Sequence, residues 1–393
     1  MKRIEIIDGL RGWLLISMVL SHLVFPQGFW LLSLHFRSVM FTESAQAFVF
    51  VSGLVFGLVG QRRLSQRGYP FLQGMAKQRI WQLWRYCLGL LAVIFLMRLA
   101  LPDGGDIFKN WTGTAEPWDP WRTIALLGLV YQPTFADILP MYILFIAASV
   151  PALRLVDQGR WKTVMAASAL LWLSVQLKVW VYPEVALDWI FGASDGQGLR
   201  MAFHPFGWQL LFMGGLVIGA QLSRGALNVA AIPPQRAAFW AAIATGVLLL
   251  MLPLRVLSAN VPMPEAFYHV FRVIENRRAL GPLFVISFAA VGYLVAWLLV
   301  YGRYSRLPVV GHVGRGLAQM MQWRPAVMMG QHSLQTYVWH VPLVYLAFYF
   351  SQQLGPLGQV GMTVTAVVVY ALLPLPALWR SHQLAPNSQK KSA

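Results

Sequence analysis

The chain has 393 residues, of which 58% are hydrophobic and only 11% are charged, whereas soluble domains carry about 25% charged residues. This composition excludes a soluble globular protein and indicates a polytopic membrane protein. The formal charge of +17 could suggest nucleic-acid binding. However, the basic residues lie in short segments between apolar runs, a distribution that the positive-inside rule explains better. A single cysteine, Cys87, excludes an internal disulfide framework.

Apolar windows of the length that spans a bilayer as a helix, about 20 residues, recur along the whole chain. They predict spans at residues 9–31, 41–60, 80–101, 137–156, 163–182, 204–222, 237–254, 281–301, 327–349 and 357–378. We therefore expect an all-α transmembrane helical bundle of about ten spans. A single integral-membrane domain would cover residues 1–380, followed by a polar tail, residues 381–393, that is expected to be disordered from Gln383 onwards.

The lysines and arginines are unequally distributed between the two sides of this bundle. Most of them fall on the side of the N-terminus, which predicts that both termini are cytoplasmic. The inner loop predicted between the second and third spans, Gln61 to Arg79, is the most basic inner segment and contains Arg62, Arg63, Arg67, Lys77 and Arg79. The longest outer segment, residues 102–136, is rich in Gly, Pro, Trp and Asp. We expect an ordered outer loop with a re-entrant or interfacial piece at Ile124–Tyr131, which is too short to span the membrane.

Ionisable side chains recur at one depth, near the outer ends of five predicted spans. These residues are His22, Glu43, Asp137, His204 and His340. Gln46 lies one helical turn below Glu43 on the same face. An ionisable residue at the bilayer centre costs roughly 2.5–3.5 kcal/mol on insertion, so such residues are usually paired or functional.

Each of these residues also has a structural interpretation. An isolated histidine in a helix bundle is more often a hydrogen-bond partner between helices than a catalyst, and this alternative stays open for His204 and His340. A helix N-cap would account for Asp137. A carboxylate beside an imidazole orients the ring and raises its basicity, as a general base requires, so His22 and Glu43 are the candidate catalytic pair.

Arg11 and His22 share one face of the first span. Their spacing separates them by roughly 20° around the helix and by about 16 Å along its axis. Arg11 lies at the cytoplasmic end with the basic inner segment, which either determines topology and contacts anionic lipid or binds phosphates, since arginine binds them bidentately. An anionic donor inside and a reactive histidine outside would describe a transmembrane transferase.

An arginine and a histidine at this spacing in the first span resemble the integral-membrane acyltransferase-3-like superfamily. Four longer motifs, in type and order, resemble its OpgC branch, whose members are associated with succinylation of osmoregulated periplasmic glucans. They are ESAQAFVFVSG (Glu43–Gly53), DILPMYILFIAASVP (Asp137–Pro151), FHPFGWQLLFMGG (Phe203–Gly215) and MGQHSLQTYVWH (Met329–His340). The resemblance runs from Arg3 to the tenth span. His204 stands where asparagine is common in the family, which favours a substrate contact over a general catalytic role.

This resemblance implies a bacterial inner-membrane O-acyltransferase that transfers an acyl group, expected to be succinyl, from cytoplasmic acyl-CoA to hydroxyls of a periplasmic glucan or another polysaccharide. His22, steered by Glu43, would act as general base or as acyl acceptor. The expected substrate contacts are Arg11, Gln46, Asp137, His204, His340, Arg272, Arg277 and Arg278. The last three, all outer arginines, are candidate partners for a succinyl carboxylate. The expected contacts to CoA phosphates are Arg62, Arg63, Arg67, Lys77 and Arg79.

Acyl-CoA is expected as a co-substrate, with no tightly bound cofactor, no metal and no nucleic acid, and with membrane lipids as the surroundings. The alternative is a proton-coupled transporter or flippase in which the same His/Glu pair relays protons. The absence of an internal sequence repeat and the basic inner segment disfavour it. A nonenzymatic scaffold would leave the buried ionisable residues unexplained.

Overall fold

The computed structural model of the chain describes residues 5–389, and for residues 230 and 384–389 it describes the backbone alone. Within this range the regular elements are helices, and the only β-type pairing is an isolated bridge between Tyr131 and Arg200. The α-helices are Glu5–His22 (α1), Ser44–Arg67 (α2), Tyr69–Ala100 (α3), Gly104–Ile107 (α4), Lys109–Thr112 (α5), Pro120–Leu127 (α6), Ile138–Asp157 (α7), Trp161–Gln176 (α8), Val181–Ile190 (α9), Pro205–Ser223 (α10), Pro234–Asn260 (α11), Glu265–Ile274 (α12), Pro282–Val300 (α13), Pro308–Met321 (α14), Arg324–Gln331 (α15), Ser333–Gln353 (α16), Gln359–Leu372 (α17) and Leu375–Gln389 (α18).

Among the described residues, 7 helical segments are long and apolar enough to cross a membrane, namely α2, α3, α7, α10, α11, α13 and the stretch Gln359–Gln383 formed by α17 and α18. Helices α8 and α9, bent by 73° at their junction, add an eighth if the pair forms one span. All of these coincide with predicted spans, so the prediction of an all-α polytopic membrane protein is confirmed.

The first and ninth predicted spans correspond to α1 and α16, which do not meet the same test of length and composition. Helix α1 has only 18 residues and includes Glu5, Asp8 and Arg11. Helix α16 is long enough, but polar side chains such as Gln335 and His340 lower its mean hydropathy. The count of about ten spans therefore stays a prediction.

The predicted inner loop between the second and third spans is wrong, because both helices continue through it. Only Gly68 separates α2 from α3. Its φ of 79° and ψ of 176° lie in a region that glycine alone adopts readily, and Pro70 occupies the first turn of α3, where the missing N–H costs nothing. The Gln, Arg, Leu and Lys residues on either side are good helix formers. The five basic residues of this segment thus lie on a rigid helical turn, called here the basic hairpin (residues 61–79).

The chain divides into two compact units. Unit 1 comprises Met1–Phe48, Asn228–Val270 and Pro282–Ala393, and unit 2 comprises Val49–Leu227 and Phe271–Gly281. In unit 1, α1 packs on the short helix α15 at backbone distance. A Cβ atom on Gly12 would overlap the backbone of Ala326, and one on Gly330 would overlap the backbone of Asp8. This close packing fixes the face that α1 presents to its neighbours.

In unit 2, α2 and α10 also cross at backbone distance. Gly53 and Gly57 in α2, and Gly215 and Gly219 in α10, each lie four positions apart, and a Cβ on any of them would overlap the backbone of the opposite helix. Small residues at this spacing are typical of helix association in membranes, where close approach maximises van der Waals contact.

Helix α9 of unit 2 has its polar face turned inward and its apolar face turned outward, the reverse of a surface helix of a water-soluble protein. Its acidic residues face inward, with Asp188 accepting hydrogen bonds from the backbone N–H groups of Gly198 and Leu199 at 2.9 and 2.8 Å. Tyr182 and Trp189 are both 84% exposed. Apolar and aromatic side chains that point outward are those expected of a helix surrounded by lipid or by the membrane interface.

The outer segment, residues 102–136, is ordered, as predicted, and contains the short helices α4, α5 and α6. Helix α6 exposes Ile124 and Leu127, and its location at the membrane interface stays a prediction. At the other end of the chain, α18 continues to Gln389, beyond the start of the predicted disordered tail. The basic residues Lys2, Arg3, Lys390 and Lys391, which entered the prediction of orientation, lie outside the described residues.

Candidate active site

Two of the predicted site histidines are joined by a hydrogen bond in unit 1. His22 is the last residue of α1, and His340 lies two turns into α16 with only 1% of its surface exposed. His22 Nδ1 and His340 Nε2 are 2.9 Å apart, and the two rings stack with their centroids 5.2 Å apart. The histidine expected to act chemically is therefore held by another histidine.

Arg11 contacts the same helix, α16, at its N-terminal end. Its Nη2 donates to the Oγ of Ser333, the first residue of α16, at 2.5 Å, and its guanidinium carbon lies 5.8 Å from the centre of the Phe48 ring. Since both Arg11 and His22 reach α16, the two residues do lie on one side of α1, as their helical spacing predicted.

Glu43 and Gln46 lie where α2 begins. The Gln46 side chain is fully buried and uses both ends of its amide within unit 1. Its Oε1 accepts from the Glu43 backbone N–H at 2.7 Å, and its Nε2 donates to the Phe284 carbonyl at 3.1 Å. These contacts give Gln46 a structural function, tying the start of α2 to α13. Steering of His22 by Glu43 and a substrate contact by Gln46 stay predictions.

A second buried histidine of unit 1, His35, was not singled out by the sequence. Its Nε2 lies 2.8 Å from Ser17 Oγ, which also accepts from Ser44 Oγ at 2.8 Å. The His35 Nδ1 accepts from the backbone N–H of Arg37 at 3.1 Å, so in the neutral ring Nε2 carries the proton and donates it. Burial lowers the pKa of His35, against the hydrogen bond to Ser17, which keeps the ring neutral. In this tautomer His35 cannot accept the Ser17 proton, and the pair is structural.

In unit 2, Asp137 occupies the position just before α7, but its carboxylate does not cap the helix. Instead, Oδ2 accepts from the backbone N–H of Ala202 at 3.0 Å, and the side chain is buried. Asp137 is thus the N-cap residue of α7 by position, as the structural interpretation expected, but its carboxylate makes no capping hydrogen bond, because it turns to the bend before α10 rather than to its own helix. A contact with substrate stays a prediction.

The geometry of His204 favours the structural alternative left open for this residue. Its Nδ1 accepts from the Phe206 backbone N–H at 3.2 Å, which caps α10, and its Nε2 lies 3.0 Å from Glu184 Oε1. The other oxygen of Glu184 pairs with Arg278 Nη2 at 2.9 Å. Both ring nitrogens of His204 and the carboxylate of Glu184 are thus used inside unit 2.

The other two arginines that the sequence singled out, Arg277 and Arg272, also lie in unit 2. Arg277 places its guanidinium 4.9 Å from the centre of the Phe203 ring, and Arg272 is exposed in the last turn of α12. Their predicted function, pairing with a succinyl carboxylate, stays a prediction.

The basic hairpin lies at an end of unit 2 that contains little negative charge. The guanidinium carbon of Arg67 lies 4.7 Å from the centre of the Phe71 ring. That of Arg154, near the end of α7, lies 5.0 Å from the centre of the Tyr69 ring. Asp157 lies at this end too, but its carboxylate accepts from Gln61 at 2.7 Å and lies 3.7 Å from Arg224. The cation nearest to this acid is Arg224, which lies outside the hairpin, and the expected contact of the five basic residues with CoA phosphates stays a prediction.

A buried ion pair holds the outer segment of unit 2 together. Arg122, fully buried, donates to Asp195 Oδ1 at 2.5 Å and lies over the ring of Tyr131 at 3.4 Å. Asp195 Oδ2 also accepts from the backbone N–H groups of Thr114 and Ala115 at 3.0 and 2.9 Å. Sequence reasoning missed this pair, because nothing in the spacing of Arg122 and Asp195 predicts that their segments meet.

We expect Asp195→Asn to lower the free energy of local opening of this segment by about 3–5 kcal/mol, the usual cost of removing one partner of a buried ion pair. Hydrogen exchange at the amides of Thr114 and Ala115 measures the effect. The control is Asp106→Asn, at an exposed aspartate of the same segment, which should leave this protection unchanged. Equal protection in Asp195→Asn and wild type would show that the pair does not hold the segment.

The same pair makes the outer segment sensitive to acid. Burial acts to raise the pKa of Asp195, but the N–H groups of Ala115 and Gln197 and the charge of Arg122 outweigh it, so the pKa is lowered. A lowered pKa in the folded state means that the contribution of Asp195 to stability is present above the unfolded pKa, about 3.9, and is lost as pH falls through the folded value. Protection at Thr114 and Ala115 is therefore expected to persist at pH 5 and to fall only below the unfolded pKa.

The motifs on α2, α7, α10 and α16, together with the Arg11 and His22 pair on α1, lie inside one continuous match. The family model described as OpgC protein matches residues 2–383. No curated protein and no solved structure matches the chain significantly. Since the match extends over nearly the whole chain, it confirms the resemblance found in the motifs, and the protein belongs to the OpgC family.

Proposed function

We propose that the protein is an inner-membrane O-acyltransferase that moves an acyl group, expected to be succinyl, from cytoplasmic acyl-CoA to hydroxyls of a periplasmic glucan. Membership of the OpgC family indicates a membrane-associated acyltransferase that acts in glucan modification, and the candidate spans indicate a multi-pass membrane protein. The observation that carries the proposal is the hydrogen-bonded His22 on the same side of α1 as Arg11.

In this mechanism His22 is the general base. It takes the proton from a glycan hydroxyl while the hydroxyl oxygen attacks the thioester carbonyl. A new C–O bond forms, the C–S bond breaks, and the proton held by His22 passes to the departing CoA thiolate. General-base assistance of this kind contributes about 10²–10⁴-fold. In the covalent variant, the imidazole nitrogen first accepts the acyl group and the glycan hydroxyl then removes it.

The donor is an anion, and two groups of this chain suit it. Arg11 provides a guanidinium on the cytoplasmic side of the predicted first span, and a bidentate contact with a phosphate is the strongest that a side chain offers. The basic hairpin provides Arg62, Arg63, Arg67, Lys77 and Arg79, which would attract the phosphates of CoA by their summed charge.

The mechanism requires α1 and α16 to cross the membrane, giving about ten spans with both termini in the cytoplasm. Each helix carries polar side chains that lipid would penalise. Hydrogen bonds inside unit 1 offset this cost, because Arg11 donates to Ser333 and His22 is hydrogen-bonded to His340. Two helices that are too polar for lipid can cross when their polar faces meet each other.

Purified protein in sealed proteoliposomes tests the function. With radiolabelled succinyl-CoA enclosed in the lumen and glucan outside, we expect label on the glucan, and we expect little when donor and glucan are both supplied outside. Transfer only when both substrates share a side would overturn the transmembrane arrangement. Proton flux coupled to movement of a solute, without acylation, would support the transporter alternative.

The orientation of the protein in the cell membrane is read with introduced cysteines. Cys87 is buried and does not interfere. In intact spheroplasts, an impermeant thiol reagent should label a cysteine at Thr114, in the outer segment, and miss one at Ser65, in the basic hairpin. Both positions are exposed in unit 2, so the reverse pattern would place the termini outside and His22 near the cytoplasm.

A further inference from the structure

We propose that His340 is a positioning residue for His22, which fixes the tautomer of His22 so that Nε2 is its basic atom. The inference rests on the proposed function and deepens it. The family resemblance implies a different role for His340, a contact with substrate. In the structure, His340 is almost completely buried and both of its ring nitrogens face partners within unit 1.

The direction of each hydrogen bond follows from the last group in the chain. His340 Nδ1 lies 2.5 Å from the backbone carbonyl oxygen of Tyr337. A carbonyl oxygen only accepts, so His340 Nδ1 must carry the proton. In a neutral imidazole the other nitrogen then has a lone pair, and His340 Nε2 accepts from His22 Nδ1 across 2.9 Å. With its proton on Nδ1, neutral His22 has its lone pair on Nε2.

The opposite arrangement requires a charge in an unsuitable place. If His340 were an imidazolium, both of its nitrogens would donate, His22 Nδ1 would have to accept, and the proton of His22 would move to Nε2. In that state Nε2 of His22 would carry the proton and could not accept another from the hydroxyl. It would also put a positive charge on a ring that is only 1% exposed, where loss of hydration opposes the charged form.

The local fold keeps His340 in this orientation. Tyr337 lies one turn earlier in α16, so its carbonyl is fixed by the helix itself, and its ring packs edge-on against His340 with centroids 4.9 Å apart and an interplanar angle of 63°. The imidazole therefore cannot rotate without losing both the carbonyl and the aromatic contact. An acceptor held this rigidly costs little reorganisation when His22 becomes charged.

The partner at His22 Nδ1 is an imidazole, and this has a chemical consequence. When His22 takes the hydroxyl proton at Nε2, its Nδ1–H continues to donate to a neutral acceptor. The hydrogen bond orients the ring and stabilises the imidazolium, yet the partner adds no negative charge that would hold the proton. Release of that proton to the CoA thiolate is correspondingly easier than from a His–carboxylate pair.

Three substitutions at one position test the proposal. His340→Gln keeps an acceptor oxygen within reach of His22, and we expect kcat within about 10-fold of wild type. His340→Asn is polar but shorter, and His340→Leu has no acceptor. Both should lose most of the general-base contribution, about 10²–10⁴-fold in kcat, with donor KM unchanged. His35→Gln is the matched control, because it also alters a buried histidine that contacts α1, and it should leave kcat nearly unchanged.

A readout independent of activity separates this proposal from the proposed function. Nitrogen-15 NMR of histidine-labelled protein, with the His22 signal assigned by its loss in His22→Ala, should show the Nδ1–H tautomer in wild type and in His340→Gln. The Nε2–H tautomer, common in water, should appear in His340→Asn. An Nε2–H tautomer in the wild type, or normal kcat in folded His340→Leu and His340→Asn, would overturn the proposal. The correct tautomer in a protein without acyltransferase activity would refute only the proposed function.

Discussion

His22→Ala is expected to abolish acyl transfer to glucan at every donor concentration. As a general base, His22 contributes about 10²–10⁴-fold to the rate, and as an acyl acceptor it is required for any turnover. Because the residue acts on the chemical step, raising the succinyl-CoA concentration cannot restore kcat. Initial rates in the sealed proteoliposomes, with donor varied over the range that saturates wild type, measure the effect.

Folding must survive this change for the result to be read as catalysis. His22 is the last residue of α1 and only part-buried, so its loss removes one hydrogen bond, worth about 0.5–1.5 kcal/mol, and leaves His340 Nε2 without its donor, at about 1–3 kcal/mol. Membrane yield and thermal unfolding report these costs. His269→Ala, at an exposed histidine, is the control. Near-normal transfer by His22→Ala would remove this residue from the mechanism.

Arg11→Ala is expected to raise the donor KM by roughly 10- to 100-fold with kcat retained at saturating donor. The loss of one bidentate phosphate contact costs about 1.5–3 kcal/mol, and about 1.4 kcal/mol corresponds to a factor of ten. A contact made equally in the ground state and the transition state affects KM alone. The measurement is the dependence of the transfer rate on acyl-CoA concentration.

The structure supplies a control that the sequence could not. Arg11 donates to Ser333, so Arg11→Ala also removes a contact between α1 and α16. Ser333→Ala removes that contact and keeps the guanidinium, and Arg11→Lys keeps the charge without the bidentate geometry. We expect a normal KM in Ser333→Ala and an intermediate one in Arg11→Lys. If Ser333→Ala reproduced Arg11→Ala, or if Arg11→Ala lost kcat with an unchanged KM, Arg11 would belong to the helix packing or to the reaction centre.

The parts of the fold that depend on local pattern were predictable. Hydropathy located seven of the predicted spans, or eight if α8 and α9 form one span, because membrane insertion acts on windows of about 20 residues. The helical period placed Arg11 and His22 on one side of α1. By contrast, the sequence predicted a loop at the basic hairpin, because its charged residues interrupt hydropathy although they favour helix. Charge marks where a span ends, but the helix continues beyond that point.

The partners of the site residues could not be predicted, because they are set by packing between distant segments. His22 and His340 are 318 positions apart, and a list of ionisable residues at one depth does not say which of them touch. The sequence paired His22 with Glu43 on chemical grounds, and that pairing stays a prediction. His35 was missed because it lies in a segment without periodicity, where nothing signals its burial against Ser17.

The single-residue link at Gly68 also determines how far the basic hairpin stands from the lipid. Helix α3 has 32 residues and extends about 48 Å, well beyond a hydrocarbon core of about 30 Å. Residues 69–79 precede the predicted third span and cover about 16 Å, roughly twice the Debye length of about 8 Å at physiological ionic strength. With the hairpin on the cytoplasmic side, as predicted, its end near Gly68 would extend beyond a headgroup layer of about 5–7 Å by roughly one Debye length. We therefore expect the arginines near Gly68 to be available to anions dissolved in the cytoplasm, and those one or two turns nearer the membrane to be shared with lipid.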